Sequence, residues 1–168
     1  MNDLELKKAI DDIVFKLLYR TIKELDTTKR RRFKEMKETC LRIRGLWQQE
    51  GYFENIGFWP RDLNLNADAR ILFLSRVINS SIKFLIVSCG SKEKVINFIR
   101  KNKLNLLYNR LVDDLSRHTL SNNICFYVDE IYESILTSDS FRISNGIKMN
   151  IMLKGRVESS NFNGFKLC

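Results

Sequence analysis

Chemistry in this chain is concentrated between Lys29 and Arg44. There Lys29, Arg30, Arg31, Arg32, Lys34, Lys37, Arg42 and Arg44 meet only two acids, Glu35 and Glu38. Eight cations less two anions give +6 of the chain's formal +9, so the other residues share +3. On a helix, Arg30, Lys34, Lys37 and Arg44 recur at i, i+4, i+7 and i+14 and stack as a stripe. At ~1.5 Å of rise per residue the four span roughly 21 Å. Cations held along one rigid edge suit a regular array of phosphates. The bland alternative is a solvated face, with long stems lying on apolar surface and charged heads in water. Two features weigh against it. Three consecutive arginines at the positive end of a helix oppose its macrodipole, so local stability did not select them. The stripe also has a single acidic i+4 partner, Glu38 after Lys34, too few to neutralise it. A second cluster, Arg100, Lys101 and Lys103, is smaller.

Other reactive residue types form no catalytic constellation. His118 is the only histidine, which excludes His–His metal sites and two-histidine acid–base schemes. Asp113-Asp114 and Asp129-Glu130 are adjacent pairs, and adjacent helical residues point about 100° apart. Gly90-Ser91-Lys92 lacks the upstream glycine of a nucleotide-binding loop. Cys40, Cys89, Cys125 and Cys168 show no CxxC spacing, and the charged start MNDLELKKAIDD is no signal peptide. Four reduced thiols in an intracellular protein are expected, with no metal, no cofactor and no catalysis.

The elements that must position the cations read as helices. Apolar residues make up 44% of the 168 residues, enough for a folded core, while one proline and seven glycines are too few for a turn-rich β fold. From Asp3 to Leu25, Leu6, Ile10, Ile13, Leu17, Leu18, Ile22 and Leu25 fall at helical spacing. The basic helix runs from Thr27 to Gly51, with Phe33, Met36, Cys40, Ile43 and Trp47 on one face. The short link makes the two antiparallel neighbours. Gly51 to Leu65 is the one real loop. Its aromatics Tyr52, Phe53, Phe58 and Trp59 are expected against the core, with base stacking as the alternative.

Asn66 caps an apolar segment, Ala67 to Cys89, that Arg70, Arg76, Lys83 and the Asn79-Ser80-Ser81 triplet make a core helix and not a membrane span. The triplet could break it and leave Ile82 to Val87 as a buried strand. Gly90 stops it and Ser91 caps the next helix, with Glu93 in its first turn. Leu104 to Arg117 and Ile124 to Leu136 read as two more helices. In the tail, Phe141 to Lys154 alternates across Asn145-Gly146, a hairpin signal, whereas Ile147, Ile151 and Lys154 would share a helix face. The expected fold is all-α, in two small helical halves (1–90 with the basic helix, 91–168) or one single domain, with a C-terminal β-hairpin at 141–154 as an option.

Three stretches carry a resemblance. Leu17-Leu18-Tyr19-Arg20-Thr21-Ile22-Lys23-Glu24-Leu25-Asp26-Thr27 resembles the first-helix segment of the small RNA-silencing suppressors of closteroviruses. Ile147-Lys148-Met149-Asn150-Ile151-Met152-Leu153-Lys154-Gly155-Arg156-Val157-Glu158-Ser159-Ser160 is similar to that family's C-terminal segment, and Ala69 to Ile99 matches more loosely. The resemblance implies a nearly all-helical fold in two halves, oligomers that close into rings, and RNA binding without sequence preference. No residue-by-residue carry-over of functional positions follows from it.

The expected function is a viral suppressor that sequesters small duplex RNA in the host cytoplasm, as a homo-oligomer without a membrane anchor. Its RNA contacts would be Lys29, Arg30, Arg31, Arg32, Lys34, Lys37, Arg42 and Arg44, joined by Arg100, Lys101 and Lys103. The competing expectation is a helical adaptor docking its basic helix on an acidic protein or anionic membrane.

Overall fold

A computed structural model describes residues 1–25, 33–49, 51–56, 67–118, 126–137 and 164–167. The fold is all-α. Its described elements are helices α1 (Asp3–Leu25), α2 (Phe33–Gln49), α3 (Tyr52–Asn55), α4 (Ala67–Cys89), α5 (Lys92–Asn102), α6 (Asn105–Arg117) and α7 (Glu130–Leu136). Strands β1 (Phe126–Asp129) and β2 (Gly164–Leu167) complete them. The tail expected as hairpin or helix, 141–154, lies outside the described residues, as does the Asn66 cap.

Five of the described elements pack around α4. Its Ala69, Ile71, Leu72, Phe73, Leu74, Val77, Ile78, Ile82 and Leu85 are all buried. They point to every side of the helix, so no single neighbour can cover them. α1, α5, α6, α7 and β1 all lie against α4. The division considered at residue 90 would fall between helices that share this packing, and the buried apolar side chains of both parts form one cluster. The Asn79-Ser80-Ser81 triplet does not break α4. Ser75, buried elsewhere in the helix, donates its hydroxyl to the Leu72 carbonyl at 2.8 Å, one way a buried serine is satisfied inside a helix.

α1 begins with a reciprocal cap. The Asn2 side chain accepts from the Glu5 N–H at 2.9 Å while Glu5 accepts from the Asn2 N–H at 3.1 Å. Its buried stripe is Leu6, Ile10, Val14, Leu18 and Ile22, with Ile13 and Leu17 at the margin. α2 buries Met36, Cys40, Ile43 and Trp47, as the periodicity predicts, and Trp47 stacks on Phe73 of α4 at 5.8 Å. Gly90 takes φ 74, closing α4, and the Ser91 hydroxyl accepts from the Lys94 N–H to open α5.

Two expectations need correction. Gly51 to Leu65 is not wholly loop, since Tyr52–Asn55 forms α3 and puts Phe53 and Ile56 in the core. Ile124 to Leu136 is not one helix either. Phe126-Tyr127-Val128 favours strand through its aromatic and β-branched side chains. Asp129 then turns extended and caps α7, accepting from the Ile131 N–H at 2.9 Å. β1 pairs antiparallel with β2, Phe126 opposite Leu167 and Asp129 opposite Gly164. Asn79 of α4 serves β1 with both ends of its carboxamide. It donates to the Tyr127 carbonyl at 2.5 Å and accepts from the Asp129 N–H at 3.1 Å.

The arginines inside the apolar segment are clamps between helices. Arg76 reaches Thr21 at 3.1 Å and Glu24 at 2.6 Å on α1. Arg70 reaches Asp114 on α6 at 3.3 Å, beside the His118 ring.

Ile78→Ala should cost about 2–5 kcal/mol by denaturant unfolding, because it opens a cavity where α4 is covered on all sides. Val87→Ser, on the same helix but 78% exposed, should stay within about 0.5 kcal/mol of the parent. Equal costs would show that α4 is not the enclosed element.

Burial works to raise the Glu24 carboxyl, but hydrogen bonds from Arg76 and Arg20, with their charges, outweigh it and hold it below its ordinary 4.5. A carboxyl held low in the folded state stabilises above its unfolded pKa, and that contribution fades as pH falls through the folded value. Glu24→Gln should therefore flatten the loss of stability on acidification below pH 4.5. An unchanged acid limb in thermal unfolding would remove this clamp from the account.

Candidate nucleic-acid interface

The cations predicted to meet phosphate fall into three groups. Lys29, Arg30, Arg31 and Arg32 lie outside the described residues. Lys34, Lys37 and Arg42 project from the outer face of α2 into solvent. That exposure follows from the sequence pattern. Met36, Cys40, Ile43 and Trp47 take the inward face, so Lys34 stands nearly opposite them and Lys37 and Arg42 flank it. Among the described residues, Lys34 and Lys37 have no ion-pair partner. The buried face fixes the helix, and the fixed helix holds the ammonium groups at set spacing.

Arg44 is placed differently. Its guanidinium pairs with Asp11 of α1 and lies 5.3 Å from the Phe15 ring centre, with its side chain 28% exposed. The hydrogen bond that Arg44 donates to Asp11 holds its proton even more firmly than usual, against the opposing effect of burial. Gln48 adds a second donor to Asp11 at 3.2 Å, so late α2 meets early α1 and the helices run antiparallel. Tyr52 packs into the same junction. Burial pushes its phenol far above its usual range, and the Asp11 charge adds to the effect. Arg44 thus sits on the seam between helices, about 80° around from Lys34 at ~100° per residue. Exposed Lys37 is only about 20° away around the wheel, so the approach of Asp11 and Phe15 on α1, and not helix spacing, takes Arg44 out of the outward stripe.

The second basic cluster is also exposed, at the end of α5. Lys101 pairs with Asp3 at 2.8 Å and Lys103 with Glu54 at 2.5 Å. Lys103 adopts φ 58 and ends the helix by donating its N–H to the Ile99 and Arg100 carbonyls. Lys101 and Lys103 share an open cleft with Lys7 and Lys8 of α1. Spacing alone does not single out Lys7 and Lys8, since two adjacent lysines beside an amphipathic stripe look like any solvated face. Their one distinguishing signal is tertiary, the approach of the α5 terminus.

The arrangement can bind anions by charge and can hold them in a fixed frame. No protein-family model, no curated protein and no solved structure matches the chain.

Arg44→Glu would set a carboxylate against Asp11, itself only 15% exposed, and strip the Phe15 ring of its cation. The expected loss is about 1–3 kcal/mol of stability. Lys34→Glu, on the solvent side, should change stability by less than about 0.5 kcal/mol. Chemical denaturation of the two variants side by side checks this, and equal stabilities would put Arg44 back among the solvated cations.

Proposed function

We propose that this protein is a viral suppressor of RNA silencing that binds small duplex RNA on the outer face of α2 and withholds it from the host silencing machinery in the cytoplasm. The observation that carries the reading is the pairing of a fully packed inner face on α2 with exposed Lys34, Lys37 and Arg42 on its outer side. The base edges of A-form RNA are poorly accessible to side chains, so shape and phosphate contacts dominate recognition. Fixed cations bind such a duplex by releasing counterions, without reading its sequence. Lys29 to Arg32 extend the basic run toward the start of α2, and a homo-oligomer would repeat the face along a longer duplex. The reading includes no catalytic step.

One observation favours a second reading. Leu41 and Leu46 are each 46% exposed on the outward side of α2 beside these cations. Apolar and basic side chains together suit an adaptor helix docking on an acidic protein or an anionic membrane. α4 has the length and apolar composition of a membrane-crossing helix, and 56% of its most apolar window is buried in the core.

The test is duplex RNA binding across a salt series by the parent and the Lys34→Glu/Lys37→Glu/Arg42→Glu variant, with light scattering on both. The parent should have a mass above the monomer. The variant should keep its helicity and mass yet bind more weakly, its log–log salt slope reduced by about 0.9 per lost contact on every RNA sequence. Equal affinity would reject the RNA face. If anionic vesicles or an acidic protein lost binding in the variant while RNA did not, the adaptor reading would take its place.

A further inference from the structure

The cleft between the start of α1, the α2–α3 junction and the end of α5 has a volume of about 360 Å³. Lys7 and Lys8 stand on one wall, Lys101 and Lys103 on another, and Tyr52 and Phe53 contribute aromatic surface. We infer that this cleft is a binding site for a phosphate monoester of about mononucleotide size, separate from the outer face of α2.

The charge balance in the cleft favours an anion. Four ammonium groups line it against two carboxylates, Asp11 and Glu54. Asp11 is already neutralised by Arg44 and hydrogen-bonded by Gln48. Lys7 and Lys8 have no ion-pair partner among the described residues. The other two lysines hold theirs loosely. Lys101–Asp3 and Lys103–Glu54 are exposed pairs, 71% and 59% on the lysine side, and such pairs contribute little net stability. A better anion can displace Asp3 and Glu54 without disturbing the fold.

A phosphate monoester fits better than a carboxylate. It carries a charge of about −1.5 to −2 and three strong acceptor oxygens, so several lysines can share it. Lysine binds phosphate as a point charge and needs no planar match. The volume lies near the lower end of small-molecule pockets, roughly 300–1,000 Å³, which suits one nucleotide and not a chain. The half-buried ring of Tyr52, braced edge to face against the buried Phe53 ring at 5.1 Å, gives the organic part apolar surface. The backbone fixes both cationic walls. Lys7 and Lys8 ride on a helix capped at Asn2, and Lys103 is held in its left-handed conformation by the hydrogen bonds that end α5.

The same monoester could arrive as a free nucleotide or as the phosphorylated 5′ end of an RNA strand. Isothermal titration of the full chain with AMP and with adenosine, and of 5′-phosphorylated against 5′-hydroxyl single-stranded RNA, separates the two. The expected result is at least a tenfold preference for the phosphorylated member of one pair. AMP over adenosine alone identifies a free nucleotide, and a preference in the RNA pair identifies a strand end. Lys7→Ala/Lys8→Ala should abolish that preference with circular dichroism unchanged, whereas Lys34→Ala/Lys37→Ala should keep it. Those controls make the result independent of whether a duplex lies on α2. No preference in either pair, or a preference that survives Lys7→Ala/Lys8→Ala, overturns the inference.

Discussion

The exclusion of water from α4 is the constraint on which the other elements depend. A helix apolar on all sides gains from burial only when it is enclosed, at roughly 25 cal/mol per Å² of apolar surface removed from water. One partner helix covers one side, so α1, α5, α6, α7 and the β1 strand are recruited together. Their amphipathic stripes are answers to that one demand. The enclosure also decides where polar groups on α4 can go. Arg70, Arg76 and Asn79 sit at its margins, and each reaches a different neighbour.

The same logic sorts the cations. A guanidinium at a helix seam can keep its apolar stem dry and still find a carboxylate, which is what Arg44 does with Asp11 and Arg76 with Glu24. Those charges hold helices together and have little left to offer a ligand. Lys34 stands about 80° farther around the wheel of α2 and Lys37 about 20°, and both are exposed with no ion-pair partner among the described residues. Wheel position separates Lys34 from Arg44, but Lys37 and Arg44 lie only about 20° apart, and what divides those two is the approach of Asp11 and Phe15 on α1.

The helices around α4 were legible because their apolar residues repeat at 3.6-residue spacing and their ends carry local chemistry, Gly90-Ser91 above all. The stretch before α7 was not. Apolar residues in Ile124 to Leu136 fit a helical period well enough to hide the strand, and what settles β1 is pairing with β2 and the carboxamide of Asn79, both distant in sequence. Asn79 itself looked like a helix breaker, because a sequence shows a polar residue but not its partner. Among the candidate contacts, the exposure of Lys34 and Arg42 followed from the wheel. The pairing of Arg44 and the meeting of Lys7 and Lys8 with the α5 terminus depend on how helices are arranged in space, which spacing does not encode.

The carboxamide of Asn79 gives β1 a partner that does not depend on β2. Two strands by themselves are marginal in water, and joining β1 to β2 closes a long loop at an entropic cost. Asn79 is synthesised well before either strand, on the helix that the first elements enclose. β1 can therefore dock on a prepared surface while β2 has yet to emerge. During that interval β1 is an open edge, and an unpaired edge accepts whichever strand arrives first. The helix side of β1 is held by Asn79, so the choice of strand is left to the side that β2 finally covers.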